Sequence, residues 1–137
     1  MNNNHIIEES ITEKQEVKFI FDHSHSLDLI HEIDFSKYQK GIVFCDKNLS
    51  DKLWPKIEVV LRNKFTISDV HELEASEATK SIENYSTLVN HLENLKCGRD
   101  DLIIVIGGGT LLDAISYVAS TYMRGIPLCM IPTTLIG

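Results

Sequence analysis

The sequence lacks the features of disulfide-stabilised, secreted or membrane proteins. Its three cysteines, Cys45, Cys97 and Cys129, include no CxxC pair. This pattern indicates buried free thiols in a reducing compartment rather than a disulfide framework. The first ten residues have neither a basic region nor a continuous apolar stretch, so we expect no signal peptide. No segment reaches the ~18 apolar residues that a membrane span needs. We therefore expect a cytoplasmic protein.

Positive charge is also scarce. The chain has 20 acidic and 13 basic residues, a net charge of −7 and no basic cluster. Such a balance argues against nucleic acid and anionic membrane surfaces as partners. An anionic ligand would have to be held by local features. Hydrophobic residues make up 43% of the 137, which is typical of one globular domain with a real core.

Strand and helix patterns alternate along the chain. The stretches IIEESI (6–11) and VKFIF (17–21) predict a hairpin. The remaining predicted strands are 41–46, 65–73, 101–107 and 126–132, and the predicted helices are 26–33, 49–63, 81–95 and 110–124. Pro55 fits its helix only in the first turn or at a kink, and Gly98 is expected to end the third helix. The later strands are apolar throughout. We therefore predict an α/β fold, a Rossmann-like, mostly parallel sheet with helices on both faces.

Ligands of such sheets bind at the carboxyl ends of the strands. Asp46 and Asn48 follow the strand 41–46. A carboxylate in this position accepts hydrogen bonds from ribose hydroxyls in dinucleotide enzymes. Either residue would serve equally well as a helix N-cap, and from these residues alone that interpretation is favoured.

Three consecutive glycines, Gly107, Gly108 and Gly109, follow the next apolar strand and lead into a helix. Glycines allow close approach of a ligand and accept positive φ angles, and the helix N-terminus suits a pyrophosphate. A tight turn without a ligand is the alternative. Leu112 stands where a dinucleotide fingerprint has its third glycine. Asp113 either accepts a hydrogen bond from the ligand or favours the helix start.

Further polar residues stand near other strand ends. Thr133 and Thr134 follow the last strand and offer hydroxyls to a ligand across the glycine turn. Glu77 and Lys80 precede a helix, where their spacing also fits a surface ion pair. Arg124 closes its helix and suits either the negative helix end or an anionic substrate group.

Six histidines raise the question of a metal site. His23 and His25 form an HxH pair with no third ligand in reach, which is poor support for zinc. The others are scattered along the sequence, at His5, His31, His71 and His91. We therefore expect no metal site in this chain.

Taken together, these stretches resemble the N-terminal half of 3-dehydroquinate synthase and its sugar-phosphate cyclase relatives. The resemblance covers roughly residues 15 to 137. It is carried by the D-x-N of Asp46 and Asn48, the E-x-x-K of Glu77 and Lys80, RDDLIIVIGGGTLLD (99–113) and ASTYMRGIPLCMIPTTL (119–135). Ser76 departs from a glycine usual before the Glu, and Ser116-Tyr117 from a common Gly-Phe.

The resemblance implies an NAD-binding role for one set of residues: Asp46, Asn48, Glu77, Lys80, Gly107, Gly108, Gly109, Asp113, Thr133 and Thr134. Arg124 matches an arginine that the family uses near the substrate phosphate. In this family NAD transiently oxidises a substrate hydroxyl, phosphate leaves, the ketone is reduced again and the ring recloses by an aldol step. A divalent metal, zinc or cobalt, polarises the hydroxyl oxygen.

The family's metal ligands and catalytic lysines lie beyond the PTT motif. Residues 1–137 are therefore expected to be an NAD-binding N-terminal domain without its metal and substrate domain, inactive by itself. The substrate of the parent enzyme would be a small sugar phosphate, and a homodimer is possible. Other interpretations are a cyclase with another sugar phosphate, half of an iron-dependent alcohol or glycerol dehydrogenase, which shares GGGxxxD and PTT, and a stand-alone nucleotide-binding module.

Overall fold

The computed structural model describes residues 5–12, 15–22, 30, 33–48, 51–74 and 82–132. Six strands form one sheet in the order β1-β2-β6-β5-β3-β4. The strands are β1 His5–Thr12, β2 Gln15–Asp22, β3 Gly41–Asp46, β4 Ile67–Leu73, β5 Leu102–Gly107 and β6 Leu128–Pro132. The α-helices are α1 Trp54–Arg62, α2 Ile82–Asn94 and α3 Gly109–Thr121, and short 3-10 helices span Phe35–Lys37 and Tyr122–Arg124.

The sheet confirms the predicted α/β class. β1 and β2 form the expected antiparallel hairpin. The pairs β2–β6, β6–β5, β5–β3 and β3–β4 are all parallel. Parallel neighbours need crossover connections, and in this chain α1, α2 and α3 lie in those connections. The carboxyl ends of β3, β4, β5 and β6 therefore meet at one edge of the sheet.

The central strands are buried on both faces, as their unbroken apolar sequences predict. Every residue of β3, β5 and β6 is buried. Alternate side chains enter two separate cores, because successive residues of a strand point to opposite faces. On one face Val43 and Ile104 pack with Ile57 of α1. On the other, Phe44 and Ile115 pack in one cluster with further apolar residues of α2 and α3, Leu88, Leu92, Leu111 and Val118.

The second predicted helix begins later than the sequence indicated. α1 starts at Trp54 rather than residue 49, and Pro55 lies in its first turn. Proline suits that turn because its missing N–H would have no partner there. The predicted apolar stripe is present, since Ile57 and Leu61 are buried. The first predicted helix, 26–33, lies mostly outside the described residues. Of its stripe, Ile30 and Ile33 are buried.

The expected C-terminal role of Gly98 is wrong, because the left-handed residue after α2 is Lys96, with φ 56°. The Cys97 N–H donates to the Leu92 carbonyl and the Lys96 N–H to the Glu93 carbonyl, both at 3.0 Å. This is the Schellman pattern, with Lys96 where glycine is usual. Gly98 instead donates its N–H to Asp101 Oδ2 at 2.7 Å.

The fourth predicted helix, 110–124, ends earlier than the sequence indicated. α3 ends at Thr121, and the 3-10 turn that follows contains Met123 with φ 49° and Arg124 with φ 65°. Gly125 has φ 112°. These angles reverse the chain toward β6, so Arg124 is not part of α3 as the sequence suggested.

The cysteines and the Ser116-Tyr117 pair make contacts within the fold. All three cysteines are buried free thiols, as predicted. Burial raises the pKa of the Cys45 and Cys97 thiols to about 12. The Ser116 hydroxyl donates to the sulfur of Met130 at 3.2 Å, and the Tyr117 ring lies 5.3 Å from that of Tyr85. No helix within the described part of the chain is long and apolar enough to cross a membrane.

Candidate functional site

The carboxyl edge of the sheet brings two of the predicted motifs together. β3 and β5 are direct neighbours, with Cys45 opposite Ile106. Asp46 and Gly107, the next residues, therefore end side by side. Leu73 lies opposite Asp46 on one side, and Pro132 lies opposite Gly107 on the other. The D-x-N and glycine motifs, more than fifty residues apart in sequence, form one continuous rim.

Gly107 is required by packing within the protein. A Cβ added there would lie 2.8 Å from Leu111 Cδ2 and 3.5 Å from Asp46 Cβ. The first of these distances is shorter than real Cβ contacts, so the fully buried Leu111 would have to move to admit a side chain at residue 107. The missing Cβ lets the first turn of α3 close against the strand ends.

Gly108 and Gly109 open the turn toward solvent. Gly108 is the N-cap of α3, with φ −85° and ψ −178°, and no side chain caps the helix. A Cβ added at Gly109 would meet no heavy atom within 4 Å. The first N–H groups of a helix have no partner inside it, and they lie at its positive end. The surface beside Gly109 is thus open and suited to an anion.

None of the three glycines uses its freedom to adopt positive φ. Gly125 is the only described glycine with such an angle. The turn thus needs its glycines for space and not for backbone conformation. Its glycines remove steric bulk, at Gly107 toward the protein and at Gly109 toward the solvent.

Asp46 is a nearly buried carboxylate, 9% exposed. Its Oδ1 accepts the backbone N–H of Asn48 at 2.9 Å, which shapes the turn after β3. The following helix has Leu53 as its N-cap. The alternative that Asp46 or Asn48 caps α1 is therefore wrong. Asp46 is held on the rim beside the glycine turn by its own local hydrogen bond.

The other predicted residues differ in where they lie. Asp113 is exposed on α3, one turn after Gly109. Arg124 is exposed beyond the far end of the 13-residue α3, roughly 20 Å away along the helix axis. The structure thus does not bring Arg124 to the glycine turn. Glu77, Lys80, Thr133 and Thr134 lie outside the described residues.

Sequence reasoning missed a second polar cluster. Asp69 and His71 lie on the same face of β4, and His91 lies on α2. His91 Nε2 is 2.8 Å from Asp69 Oδ2, and the two imidazole centroids are 4.3 Å apart. Burial, and then His91, lower the pKa of His71 against a smaller opposing effect of Asp69. His71 and His91 are far apart in the sequence, and the fold brings them together. The i, i+2 spacing of Asp69 and His71 on β4 offered a partial signal.

Comparisons with known proteins relate this chain to 3-dehydroquinate synthases. The model of the 3-dehydroquinate synthase N-terminal family matches residues 70–137. A 3-dehydroquinate synthase of Alkaliphilus oremlandii is 40% identical over 83 residues, 61% of this chain and 22% of the relative. One of Clostridium beijerinckii is 33% identical over 114 residues, 80% of this chain and 33% of the relative. The matches therefore span a third or less of these relatives.

A solved structure of 2-deoxy-scyllo-inosose synthase, complexed with carbaglucose-6-phosphate, NAD+ and Co2+, has the same fold. It superposes with a TM-score of 0.72 at 20% identity, covering 93% of this chain and 35% of that one. Both the sequence and the fold thus agree with the resemblance carried by the motifs. Residues 70–137 match the 3-dehydroquinate synthase N-terminal family, and the similarity to 3-dehydroquinate synthases extends over as much as 80% of the chain.

Proposed function

We propose that this chain is the NAD-binding part of a 3-dehydroquinate synthase-like enzyme. The observation that carries the proposal is the placement of the buried Asp46 carboxylate beside the uncapped start of α3. A dinucleotide presents hydroxyl donors on its ribose and negative charge on its pyrophosphate. The rim offers one acceptor and one positive helix end, next to each other, in the arrangement that this ligand requires.

The open surface at Gly109 fits the pyrophosphate, because the backbone can be approached there without contact with a side chain. Asp46 would accept a ribose hydroxyl, and Asn48 would lie next to it. We assign Asp113 to a further hydrogen bond from the ligand. Glu77, Lys80, Thr133 and Thr134 follow β4 and β6, whose ends lie on either side of the rim, and we include them in the proposed site.

The reaction that we propose for the parent enzyme converts a seven-carbon sugar acid phosphate to 3-dehydroquinate with loss of phosphate. It would be a phosphate-eliminating lyase of the shikimate pathway, in the cytoplasm. NAD supplies a hydride acceptor and donor when bound, and zinc or cobalt would be held outside these 137 residues. This chain's part is to hold the cofactor at the rim, and we expect it to be inactive by itself.

A related cyclase with another sugar phosphate is the second candidate, favoured by the fold shared with 2-deoxy-scyllo-inosose synthase. The rim residues of the two candidates would act on NAD in the same way. Joining this chain to the missing part of its own protein and assaying each sugar phosphate would separate them. The candidate that gives turnover is retained.

The proposed cofactor site can be tested by calorimetric titration of the 137-residue chain with NAD. Gly109→Ala adds one methyl group where the protein itself has no contact. We expect the substitution to weaken NAD binding at least fivefold while the chain stays folded, because the methyl group occupies the surface proposed for the pyrophosphate. Asp46→Asn should also weaken binding, since it removes the charged acceptor.

Gly98→Ala is the matched control. Gly98 is a turn glycine at the opposite end of the sheet, and an added Cβ there would have its nearest contact at 4.0 Å. This variant should bind NAD as the parent chain does. If Gly109→Ala also bound NAD unchanged, the cofactor would not lie on the glycine turn and the proposal would fail.

A further inference from the structure

A second candidate binding site lies away from the glycine turn, between β4 and α2. It consists of the Asp69 carboxylate and the imidazoles of His71 and His91. One potential ligand atom from each residue lies within 4.8 Å of the other two. The site is formed by side chains from two elements that are separated in sequence, so it exists only in the folded chain.

We propose that Asp69, His71 and His91 bind a divalent transition-metal ion, with zinc as the best fit. Two neutral imidazoles and one carboxylate form a ligand set that zinc uses in proteins, with a water in the fourth position. Calcium and magnesium prefer oxygen ligands throughout, which disfavours both ions here. The inference concerns residues that have no part in the proposed NAD site and does not depend on it.

The geometry needs only small side-chain movements to hold the ion. Zinc lies about 2.0–2.2 Å from nitrogen and oxygen ligands, which puts tetrahedral ligand atoms about 3.4 Å from one another. His91 Nε2 and Asp69 Oδ2 are already 2.8 Å apart. They would separate slightly as the third ligand moves in. Metal binding at His91 Nε2 displaces the hydrogen on that atom. In a neutral ring the hydrogen moves to Nδ1, and a protonated ring releases it to water.

The surroundings position the rings and leave the ion a route. The ring of Phe44 contacts both imidazoles edge-on, with centroids 5.7 Å from His71 and 6.2 Å from His91. The side chains of His91 and Asp69 are 25% and 29% exposed. Partial exposure admits a hydrated ion, while the packing against Phe44 limits the rotation of the rings. Preorganised ligands of this kind reduce the entropy lost on binding.

The bound ion would connect the edge strand to a helix. Within the described residues β4 is the last strand of the sheet, and its one partner strand there is β3. Coordination by Asp69 and His71 from β4 and by His91 from α2 would tie the strand to the helix at this point. Zinc should therefore raise the melting temperature, because an ion that binds only the folded chain stabilises it.

The test uses the 137-residue chain, Zn²⁺ in calorimetry and Co²⁺ as a spectroscopic probe. We expect one Zn²⁺ per chain, visible Co²⁺ absorption typical of four ligands and a higher melting temperature with Zn²⁺. His91→Ala and the isosteric Asp69→Asn should each weaken Zn²⁺ binding by about tenfold or more. Zinc should also move the side-chain nitrogen resonances of His71 and His91.

His5→Ala is the control, since β1 is at the opposite edge of the sheet from β4. It should retain the affinity, the absorption and the melting shift of the parent chain. The proposal is overturned if the parent chain binds no Zn²⁺. It is equally overturned if Asp69→Asn, correctly folded by circular dichroism, binds as tightly as the parent, or if His5→Ala loses as much affinity as His91→Ala.

Discussion

The two turns at the ends of α3 are under different constraints. The glycine turn, Gly107 to Gly109, lies at the carboxyl end of the sheet and uses no positive φ angle. The amino-end corner, Tyr122 to Gly125, has positive φ at Met123, Arg124 and Gly125. The glycine turn therefore has three glycines and no positive φ angle. At the corner, two of the three residues with positive φ are not glycine.

The difference shows which constraint each turn satisfies. At the glycine turn the limiting quantity is space, because Leu111 leaves no room for a side chain at Gly107. At the corner it is the reversal of the chain into β6, and the left-handed residues bear a conformational cost of roughly 1–2 kcal/mol each. The Ile126 N–H donates to the Ala119 carbonyl at 2.8 Å, which helps to hold the reversed chain in place.

Alkaline pH should have the largest effect, because it acts at both ends of the sheet. Burial raises the pKa of Cys45 and Cys97 to about 12 and also raises that of Tyr122. The unfolded thiols lose their protons near pH 9, and the folded ones near pH 12. The free energy of unfolding should therefore be fully retained below pH 9 and fall steadily as the pH rises toward 12.

Denaturant titrations at a series of pH values measure this loss. Cys45→Ala removes the thiol beside Asp46. Cys97→Ala removes the other thiol and keeps the backbone carbonyl of residue 97, which accepts the Tyr122 hydroxyl. Each variant should show a shallower fall with pH than the parent chain. If the unfolding free energy of both variants fell with pH as steeply as that of the parent chain, the thiols would not be the cause of the alkaline loss of stability.

Gly107→Val should have the next largest effect. Its branched side chain would overlap Leu111 and force α3 outward, at a cost of about 2–3 kcal/mol in unfolding free energy. Gly109→Ala is the control from the same turn. It should raise stability by up to about 1 kcal/mol, because alanine has the better helix propensity and no neighbour is touched. Urea denaturation measures both, and equal effects would refute the division of roles within the turn.

The amino-end corner should give smaller changes of opposite sign. Gly125→Ala places a Cβ at φ 112° and should cost about 1–2 kcal/mol. Met123→Gly should stabilise by about 0.5 kcal/mol, since the left-handed strain relieved exceeds the added chain entropy. Met123 is 51% exposed, so little packing is lost. Thermal unfolding of the two variants measures the shifts. Destabilisation by Met123→Gly would show that its angle carries no strain.

The sequence was most informative where a single property decides the structure. β3 spans residues 41–46 as predicted, because an unbroken apolar run between polar residues fits a strand buried on both faces. The rim of Asp46 and Gly107 followed from the rule that parallel strand ends share an edge. The family resemblance added the expected ligand, NAD.

Other features depend on contacts that a linear pattern does not contain. Glycine at 98 suggested the end of α2, yet Lys96 takes the left-handed position. In that conformation the N–H groups of Cys97 and Lys96 donate to the Leu92 and Glu93 carbonyls. The cluster of Asp69, His71 and His91 could not be predicted either. Periodicity indicates the buried face of each element, but not that His91 of α2 lies beside Asp69 and His71 of β4.

The parallel pairing of β2 with β6 has a consequence for how the chain folds. Val17 lies opposite Leu128, more than a hundred residues later. A ribosome therefore delivers the β1–β2 hairpin long before the strand that joins it to the sheet. Closing so large a loop lowers the chain entropy before the β2–β6 contacts can stabilise the fold. We expect the hairpin to dock last, after the layers around β3 and β5 have already formed.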